Sequence, residues 1–295
     1  MKKPIFTGAG VAIITPMFED GSINYAELGR LIDWHVENKT DAIIICGTTG
    51  ESATMTDEEH AECIHFAVCH TAGRIPVIAG AGSNDTAYAV WLSREAKEAG
   101  ADALLHVTPY YNKCSQTGLV RHFNAIADAT DLPVILYNVP SRTGVSIKPS
   151  TYAELAKHPN IVATKEACGD ISAIALTRAL CGDELGVYSG NDDQIVPVLS
   201  LGGLGVISVL SNICPATTHD ICQLWFEGKT AQSAHLQIDF MELIGALFCD
   251  VNPIPIKEAV RLLGFSVGPC RLPLDELGVS NRKLLTDQMK KHHLV

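Results

Sequence analysis

The sequence predicts an α/β fold, a (β/α)8 barrel of the TIM type with a C-terminal helical extension. Short apolar runs rich in β-branched residues alternate with amphipathic stretches along most of the chain, a pattern typical of parallel strands joined by helices. Eight such runs can be counted before the pattern changes to helices alone. An open, doubly wound sheet is the alternative, and the count of eight favours a closed barrel.

The predicted strands are apolar on both faces, as strands buried between two layers are. They are Val11–Thr15, Ala42–Cys46, Pro76–Ala79, Ala103–Thr108, Pro133–Asn138, Ile161–Lys165, Gly186–Ser189 and Gly205–Val209. Helical patterns between them include Tyr25–Asn38, Asp57–His70, Thr86–Ala99, Gln116–Thr130 and Asp192–Leu201. Strands that alternate with helices in this way pair in parallel through right-handed crossovers.

Strand signals stop at Ile213, whereas helical signals continue to the end of the chain. The later helical patterns are Ala216–Phe226, Thr230–Phe248, Pro255–Leu263 and Asn281–Lys291. We therefore predict a catalytic barrel over residues 1–227 and a helical domain over residues 228–295. No low-complexity linker separates them, so the helices are expected to pack on the barrel or on another subunit.

The composition disfavours nucleic-acid-binding, membrane and secreted proteins. The chain has 22 basic and 33 acidic residues and a formal net charge of −11, which gives it no general attraction for nucleic acid or an anionic membrane. Its ten cysteines lie mostly in apolar segments, where thiols behave as small hydrophobic groups. The N-terminus lacks the apolar core of a signal peptide, and no apolar run approaches the roughly 18 residues that span a bilayer. The sequence predicts a cytoplasmic protein.

Lys165 is the leading candidate for a reactive group. In such a barrel the catalytic side chains come from the C-terminal ends of the strands, and Lys165 ends the predicted sixth strand. Partial desolvation of an ammonium lowers its pKa and makes the neutral amine available as a nucleophile. A structural ion pair between Lys165 and Glu166 is the alternative. Successive strand residues face opposite sides, however, so Glu166 is poorly placed to neutralise Lys165.

Three other segments follow predicted strands. Gly47–Ser52 combines glycines, which allow a tight turn with N–H groups converging on an anion, with two threonines. Tyr110–Asn112 carries two phenols, and Tyr137–Gly144 carries a phenol and Arg142, whose planar fork matches a carboxylate. Taken singly, these segments are also compatible with a helix cap, aromatic packing and a surface salt bridge. Together with Lys165 they fit aldol or lyase chemistry through an imine.

Six segments resemble, in order, the dihydrodipicolinate synthase family of pyruvate-dependent lyases. They are GTTGES (Gly47–Ser52), VTPYYN (Val107–Asn112), YNVPSRTG (Tyr137–Gly144), KEA (Lys165–Ala167), GGLGVIS (Gly202–Ser208) and NPIPIK (Asn252–Lys257). The resemblance runs from about Thr7 to the last helix. It implies condensation of pyruvate with L-aspartate 4-semialdehyde, the first committed step of lysine biosynthesis through diaminopimelate.

The resemblance also implies roles for individual residues. Lys165 would form the Schiff base with pyruvate, and Thr48 and Thr49 would hold the pyruvate carboxylate. Tyr137 would act as general acid and base, relaying protons through Thr48 to Tyr111. No metal and no organic cofactor would be required, because the imine on Lys165 is itself covalent.

Other roles follow from the same resemblance. Arg142 would bind the carboxylate of the semialdehyde, and Gly190 and Ile207 would line the site with backbone groups. Tyr111 would reach into a neighbouring subunit, which requires at least a dimer; a homotetramer built as a dimer of dimers is expected.

Regulation by lysine is where the sequence departs from the family pattern. Members that lysine inhibits bind it at a subunit interface, and the matching positions here are Ser52, Ala53, Asp57, His60, Asn84, Tyr88 and Tyr110. Asp57 replaces a histidine or an aromatic residue. Tyr88 replaces a glutamate that would pair with an amino group of the lysine. The resemblance therefore implies that lysine inhibition is weak or absent.

Two other functions are compatible with parts of the pattern. An N-acetylneuraminate lyase or sugar-acid aldolase would share the imine chemistry, but Arg142 and Thr49 disfavour a sugar substrate. A catalytically silent keto-acid sensor would use the same pocket, but it would not need the complete set of Lys165, Tyr137, Thr48 and Tyr111.

Several cysteines and glycines suggest sites that the spacing disfavours. Cys63, His65, Cys69 and His70 are spread around one predicted helix, so they would not converge on zinc. Gly80-Ala81-Gly82 lacks the third glycine of a dinucleotide site. Cys168 lies near Lys165, at a helix N-terminus that could lower its pKa, and we expect it to be a packing thiol.

Overall fold

The computed structural model of the protein describes residues 2–295. Eight parallel strands form a closed barrel in chain order, with the first strand paired to both the second and the eighth. The strands are β1 Gly8–Ala12, β2 Ala42–Ile45, β3 Val77–Gly80, β4 Ala103–Val107, β5 Val134–Asn138, β6 Ile161–Glu166, β7 Gly186–Ser189 and β8 Gly205–Ser208. The predicted barrel is confirmed, and the open sheet is excluded.

The first strand was placed too late by the sequence pattern. It begins at Gly8 rather than at Val11, so the prediction Val11–Thr15 was three residues off at each end. A Cβ atom on Gly205 of β8 would lie 1.9 Å from the carbonyl oxygen of Gly8. Glycine is required where these two backbones close the barrel, and glycines weaken the apolar pattern from which strands are predicted.

Thirteen helices occur within residues 2–295. They are α1 Tyr25–Glu37, α2 Asp57–Thr71, α3 Thr86–Glu98, α4 Gln116–Asp128, α5 Pro140–Thr143, α6 Pro149–Leu155, α7 Ile171–Cys181, α8 Ile195–Ser200, α9 Pro215–Phe226, α10 Thr230–Asp239, α11 Met241–Ala246, α12 Ile254–Leu262 and α13 Val279–Lys291. The predicted helix Thr230–Phe248 is in fact two helices, and the one predicted at Asp192 begins at Ile195 after a 3₁₀ turn. None of these helices is long and apolar enough to cross a membrane.

Side-chain capping explains several helix starts. Thr56 accepts a hydrogen bond from the N–H of Glu59, whose carboxylate accepts in return from the N–H of Thr56, so α2 begins with a capping box. Asp170 caps α7 by accepting from the N–H of Ala173. These caps fix the helix starts close to the carboxyl ends of the strands.

The alternation of side chains in each strand separates two apolar layers. The larger core lies between the strands and the helices, and a smaller cluster that includes Ile44, Ile78 and Ile135 fills the barrel. In β6, Ala163 belongs to the interior cluster, whereas Thr164 hydrogen-bonds to Tyr152 of α6. Lys165 therefore follows the inward row of β6 to the mouth of the barrel.

The C-terminal helical region contacts the mouth of the barrel directly. The side chain of Asn252 donates to Thr49, and Lys257 of α12 forms a buried ion pair with Glu51. Helix α9 ends at Phe226, next to the predicted boundary at residue 227. The division into two domains remains a prediction, because these contacts join the two parts at the site described next.

Candidate active site

A cavity of about 280 Å³ opens at the carboxyl ends of the strands. It gathers most of the residues that the sequence singled out, from four different strand ends and from the helical region. Among the residues lining it are Thr48, Thr49, Tyr137, Arg142, Lys165, Gly190, Phe248 and Asn252.

Lys165 lies at the base of this cavity and is only 6% exposed. Its Nζ atom lies 4.3 Å from the centroid of the Tyr137 ring, within cation–π range. Burial lowers the pKa of Lys165 to about 8; the carboxylate of Asp192 opposes this shift and the guanidinium of Arg142 adds to it. An appreciable fraction of Lys165 is therefore the neutral amine near neutral pH.

Glu166 does not neutralise Lys165, as the alternation of the strand leads one to expect. Its carboxylate is buried on the outer face of β6, where it accepts hydrogen bonds from Tyr152 Oη at 2.5 Å and from Asn138 Nδ2 at 3.1 Å. Burial raises the pKa of Glu166, and these donors oppose the rise. Glu166 thus anchors the end of β6 to β5 and α6.

Tyr137 is the phenol that the structure brings to Lys165. It is paired with Lys165 across β5 and β6. Burial raises the pKa of Tyr137, while the charge of Arg142 and a hydrogen bond with the Thr48 side chain lower it. The Tyr137 hydroxyl and the Thr48 side chain are therefore neighbours within one chain.

Tyr111 lies outside this cavity. Its side chain is 91% exposed, and its backbone has a φ of 66°, in the left-handed region that non-glycine residues rarely adopt. The neighbouring side chain of Asn112 donates to the carbonyl oxygen of Asn84 at 3.0 Å, which ties this loop to the segment just before α3. The structure does not bring Tyr111 to Lys165 of its own chain.

The turn after β2 presents two free backbone donors to the cavity. The N–H of Gly50 bonds to Gly47 and that of Glu51 bonds to Thr48, which closes the turn. Within the described residues, the N–H groups of Thr48 and Thr49 donate to no protein acceptor. Such a pair of free N–H groups suits a carboxylate.

Arg142 stands at the opposite wall, on the single turn of α5. Its Nη2 atom donates to the carbonyl oxygen of Asn252 at 3.0 Å, and Asn252 Nδ2 donates to Thr49 Oγ1 at 3.0 Å. Asn252 thus connects the two anion-binding elements. Asn252 belongs to the NPIPIK segment, but no role was predicted for it, because nothing in the local sequence indicates that it reaches the site.

The two predicted backbone-lining positions differ in their placement. Gly190 lines the cavity, and a Cβ atom there would lie 2.9 Å from that of Ala167, so the position requires glycine. Ile207 of β8 is fully buried in the interior cluster and is not among the residues that line the cavity. The backbone role of Ile207 remains a prediction.

A second cavity, of about 370 Å³, adjoins the first and shares Thr48 and Arg142 with it. The predicted regulatory residues that line it are Ser52, Ala53, His60, Tyr88 and Tyr110. Asn84 lies next to it and donates to the carbonyl oxygen of Tyr110.

Asp57 and Tyr88, the two residues that depart from the family pattern, contact each other. Tyr88 Oη donates to Asp57 Oδ1 at 2.9 Å. His60, which also lines this cavity, has its Nε2 atom 2.8 Å from the carbonyl oxygen of Gly80.

The cysteines have ordinary structural surroundings. Burial raises the pKa of Cys168 to about 12, so the expected effect of a helix N-terminus on this thiol is outweighed. Cys63 is fully buried in the core, whereas His70 bonds to Asp33 on the other side of α2.

Asp192 is the second residue near the site that the sequence did not single out. The sequence placed it inside a predicted helix, whereas it occupies a 3₁₀ turn after β7 with its carboxylate buried. An acidic residue two positions beyond Gly190, at a strand end, was the available signal.

A buried amine at the end of a barrel strand, facing a phenol and two anion-binding elements, defines the class of barrel enzymes that act through a lysine imine. The chain belongs to the dihydrodipicolinate synthetase family, whose model matches residues 5–292. It is 58% identical over 292 residues to the 4-hydroxy-tetrahydrodipicolinate synthase of Lachnoclostridium phytofermentans, covering 99% of each chain.

Solved structures agree with this assignment. The dihydrodipicolinate synthase of Cyanidioschyzon merolae with lysine bound has a TM-score of 0.97 and 40% identity, covering 99% of this chain and 100% of the other. The chloride-inhibited enzyme of Acinetobacter baumannii complexed with pyruvate has a TM-score of 0.96 and 41% identity, covering 98% and 99%.

Proposed function

We propose that this protein is a 4-hydroxy-tetrahydrodipicolinate synthase, a lyase that condenses pyruvate with L-aspartate 4-semialdehyde through a Schiff base. The observation that carries the proposal is the Lys165 amine, which is buried and has a pKa of about 8, in one cavity with Tyr137 and two anion-binding elements. The family, the relatives' names and the pyruvate complex of the similar Acinetobacter enzyme support it.

The first half of the reaction uses groups at the base of the cavity. The N–H groups of Thr48 and Thr49 hold the pyruvate carboxylate, which places the ketone carbon at the Lys165 amine. The Nζ–C bond forms as the ketone oxygen takes up a proton, and water then leaves to give the imine. Tyr137, held by Thr48, exchanges these protons. The imine serves as the electron sink, so the proposed reaction needs no metal or organic cofactor.

The second half uses the wall that carries Arg142. Loss of a methyl proton from the imine gives an enamine, whose carbon adds to the aldehyde of the second substrate. The planar guanidinium of Arg142 binds that substrate's carboxylate, and the carbonyl of Asn252 keeps Arg142 in place. Gly190 leaves room at the cavity wall because it lacks a side chain.

We also propose a homo-oligomer of at least two subunits, in which Tyr111 completes the relay in a neighbouring site. The exposed phenol, which does not reach the cavity of its own chain, supports this arrangement. A tetramer and a cytoplasmic location remain predictions.

Borohydride reduction with pyruvate tests the proposed function. The protein is treated with pyruvate and borohydride, digested, and mapped by mass spectrometry. We expect a single pyruvate adduct on Lys165, formed faster than on any other lysine because its amine is deprotonated near neutral pH. Condensation with the semialdehyde is then followed by a coupled assay.

Lys165→Ala must lose both the adduct and the condensation activity. Lys148→Ala, which alters an exposed lysine before α6, must retain both. An adduct that persists on another lysine in Lys165→Ala with activity intact would contradict the proposal.

A further inference from the structure

Asp192 is a buried carboxylate for which the proposed reaction has no assigned use. It is 2% exposed and lies in the 3₁₀ turn that follows β7. Its Oδ2 atom accepts the N–H groups of Val209 at 3.0 Å and of Leu210 at 2.9 Å, which ties this turn to the end of β8. Its Oδ1 atom is buried and has no partner with hydrogen-bond geometry among residues 2–295.

The two oxygens therefore differ. One oxygen satisfies two backbone donors, a structural task that a neutral amide oxygen could perform equally well. The other oxygen has no donor at hydrogen-bond geometry within residues 2–295, although the Ser208 hydroxyl is close enough to lower the pKa of Asp192. An isolated buried anion is costly. A purely structural role explains Oδ2 and leaves the charge unexplained.

Lys165 is the cation that acts on this charge. Burial raises the pKa of Asp192, whereas its hydrogen-bond donors and the charge of Lys165 lower it. The carboxylate in turn raises the pKa of Lys165, and Arg142 is the charged group that lowers it. The strand ends that carry them are adjacent, because Glu166 of β6 is paired with Ser189 of β7. The other groups close to Asp192 are the Ser208 hydroxyl and the thiols of Cys214 and Cys222, which burial keeps protonated.

The proposed chemistry creates a lasting positive charge at Lys165. A neutral amine, a ketone and one proton give a protonated imine and water: the N–C bond forms, the C–O bond breaks, and the nitrogen becomes cationic. Enamine formation draws electrons into that cation, so the cation must persist until the methyl proton is lost. A fixed anion nearby stabilises it in a site that excludes water.

We propose that Asp192 is a positioning residue that acts through Lys165, supplying the fixed counter-charge for the protonated imine. The inference rests on the proposed function. Asp192 does not line the cavity, so it acts on the nitrogen rather than on the substrate.

Asp192→Asn isolates this charge. The amide oxygen can accept the N–H groups of Val209 and Leu210, and the amide nitrogen takes the place of the unpartnered Oδ1, so the fold is retained and only the charge is lost. The acidic limb of the kcat/KM profile for pyruvate reports the deprotonation of Lys165. Removing an attracting anion lowers the pKa of Lys165, so this limb should shift to lower pH by about one unit. The kcat should fall roughly tenfold or more, because the cationic intermediate loses its counter-charge.

The adjacent Asp193→Asn is the matched control, since Asp193 is exposed and its loss removes the same formal charge. It should leave both the kcat and the pH profile unchanged. A merely structural role for Asp192 would lower the melting temperature of Asp192→Asn without moving its acidic limb.

Ser208→Ala is the second variant, for use if Asp192→Asn does not fold. It removes a hydroxyl that lowers the pKa of Asp192, so its acidic limb should move in the same direction by a smaller amount. An unmoved acidic limb in a folded Asp192→Asn, or in Ser208→Ala if the first variant is unfolded, overturns the inference. If instead the wild-type protein forms no pyruvate adduct on Lys165, it is the proposed function that fails.

Discussion

Lys165 and Glu166 are neighbours in the sequence, yet they serve different layers of the molecule. Alternate residues of a strand face opposite sides, so the amine enters the barrel mouth while the carboxylate bonds to Tyr152 and Asn138 outside it. If Glu166 faced inward, it would form an ion pair with the amine and hold it protonated. The Lys165 amine is available as the proposed nucleophile because the strand geometry prevents an ion pair with Glu166.

The contact between Tyr88 and Asp57 leads to a prediction about inhibition by lysine. Tyr88 donates to one oxygen of Asp57, and a phenol at position 88 brings no carboxylate that would pair with the amino group of a bound lysine. Losing a charged hydrogen bond of this kind costs roughly 1.5–3 kcal/mol. We expect titration of the condensation activity with L-lysine to give no half-inhibition below the millimolar range.

Tyr88→Glu should restore a carboxylate at this position and lower the half-inhibitory lysine concentration. Arg94→Glu, on an exposed position of the same helix, introduces a carboxylate away from the cavity and should have no effect. Strong inhibition of the unmodified protein by lysine would show that this interpretation of the second cavity is wrong.

Individual residues differ in how well the sequence predicts them. The predicted site residues lie at the end of a strand or just after one, and the barrel rule alone brings them to one end: Lys165, Tyr137, Thr48, Thr49 and Arg142. Asn252 reaches the site from a region without strands. Asp192 lies in the 3₁₀ turn after β7 and does not line the cavity. Their contribution depends on tertiary packing, for which no local spacing gives a signal.

The turn after β2 and helix α12 are held together by a buried ion pair. Glu51 adopts a left-handed backbone conformation with φ 59°, and its carboxylate lies 2.6 Å from Lys257 Nζ. It also accepts the N–H of Arg271 at 2.9 Å. The turn that bears Thr48 and Thr49 is thus fixed from the C-terminal region rather than by its own strand.

Lys257→Met should lower the free energy of unfolding by about 3–5 kcal/mol, since it leaves the Glu51 carboxylate buried without its cation. The double variant Glu51→Gln with Lys257→Met removes both charges and should lose clearly less. Urea denaturation of the single and double variants measures the difference.

Lys283→Met is the matched control for this pair. It breaks an exposed ion pair with Asp287 and should cost under about 1 kcal/mol. Equal losses in Lys257→Met and Lys283→Met would exclude a structural role for the buried pair.

Elements were predicted well where apolar periodicity is strong and poorly where glycine or proline interrupts it. Strand β7 was placed at its observed residues, Gly186–Ser189. Strand β1 was displaced because Gly8 and Gly10, which have no room for a side chain, interrupt its apolar pattern. The short helix α5, which orients Arg142, looked like a Pro/Gly loop, because a single turn has too few residues to show a helical period.

At the scale of the whole molecule, several histidines are buried and kept neutral by desolvation. His35 and His106 are fully buried, and burial lowers the pKa of each to about 3. Burial lowers the pKa of His122 to about 4, although the carboxylate of Asp85 opposes this shift. In the unfolded chain they titrate near their ordinary value of about 6.5. The unfolded state therefore binds more protons than the folded state below about pH 6.5.

The free energy of unfolding should accordingly decrease as the pH falls through about 6.5. Between about pH 7.5 and 5.5, each such histidine should remove about 1.4 kcal/mol. Urea denaturation at the two pH values gives the loss directly. His106→Gln should show a smaller loss than the wild type, and His235→Gln, at an exposed position, should show the same loss. A stability that does not change over this range would contradict the expectation.

The contacts of Asn252, Lys257 and Arg271 with the turn after β2 have a consequence for synthesis on the ribosome. All eight strands are translated before these residues, so the turn that bears Thr48 and Thr49 is synthesised long before the side chains that hold it. Competence for the proposed reaction therefore arrives with the last segments of the chain. A message truncated before this region would leave the turn without these partners and would also remove Ile256, Val260 and Leu285 from the main core.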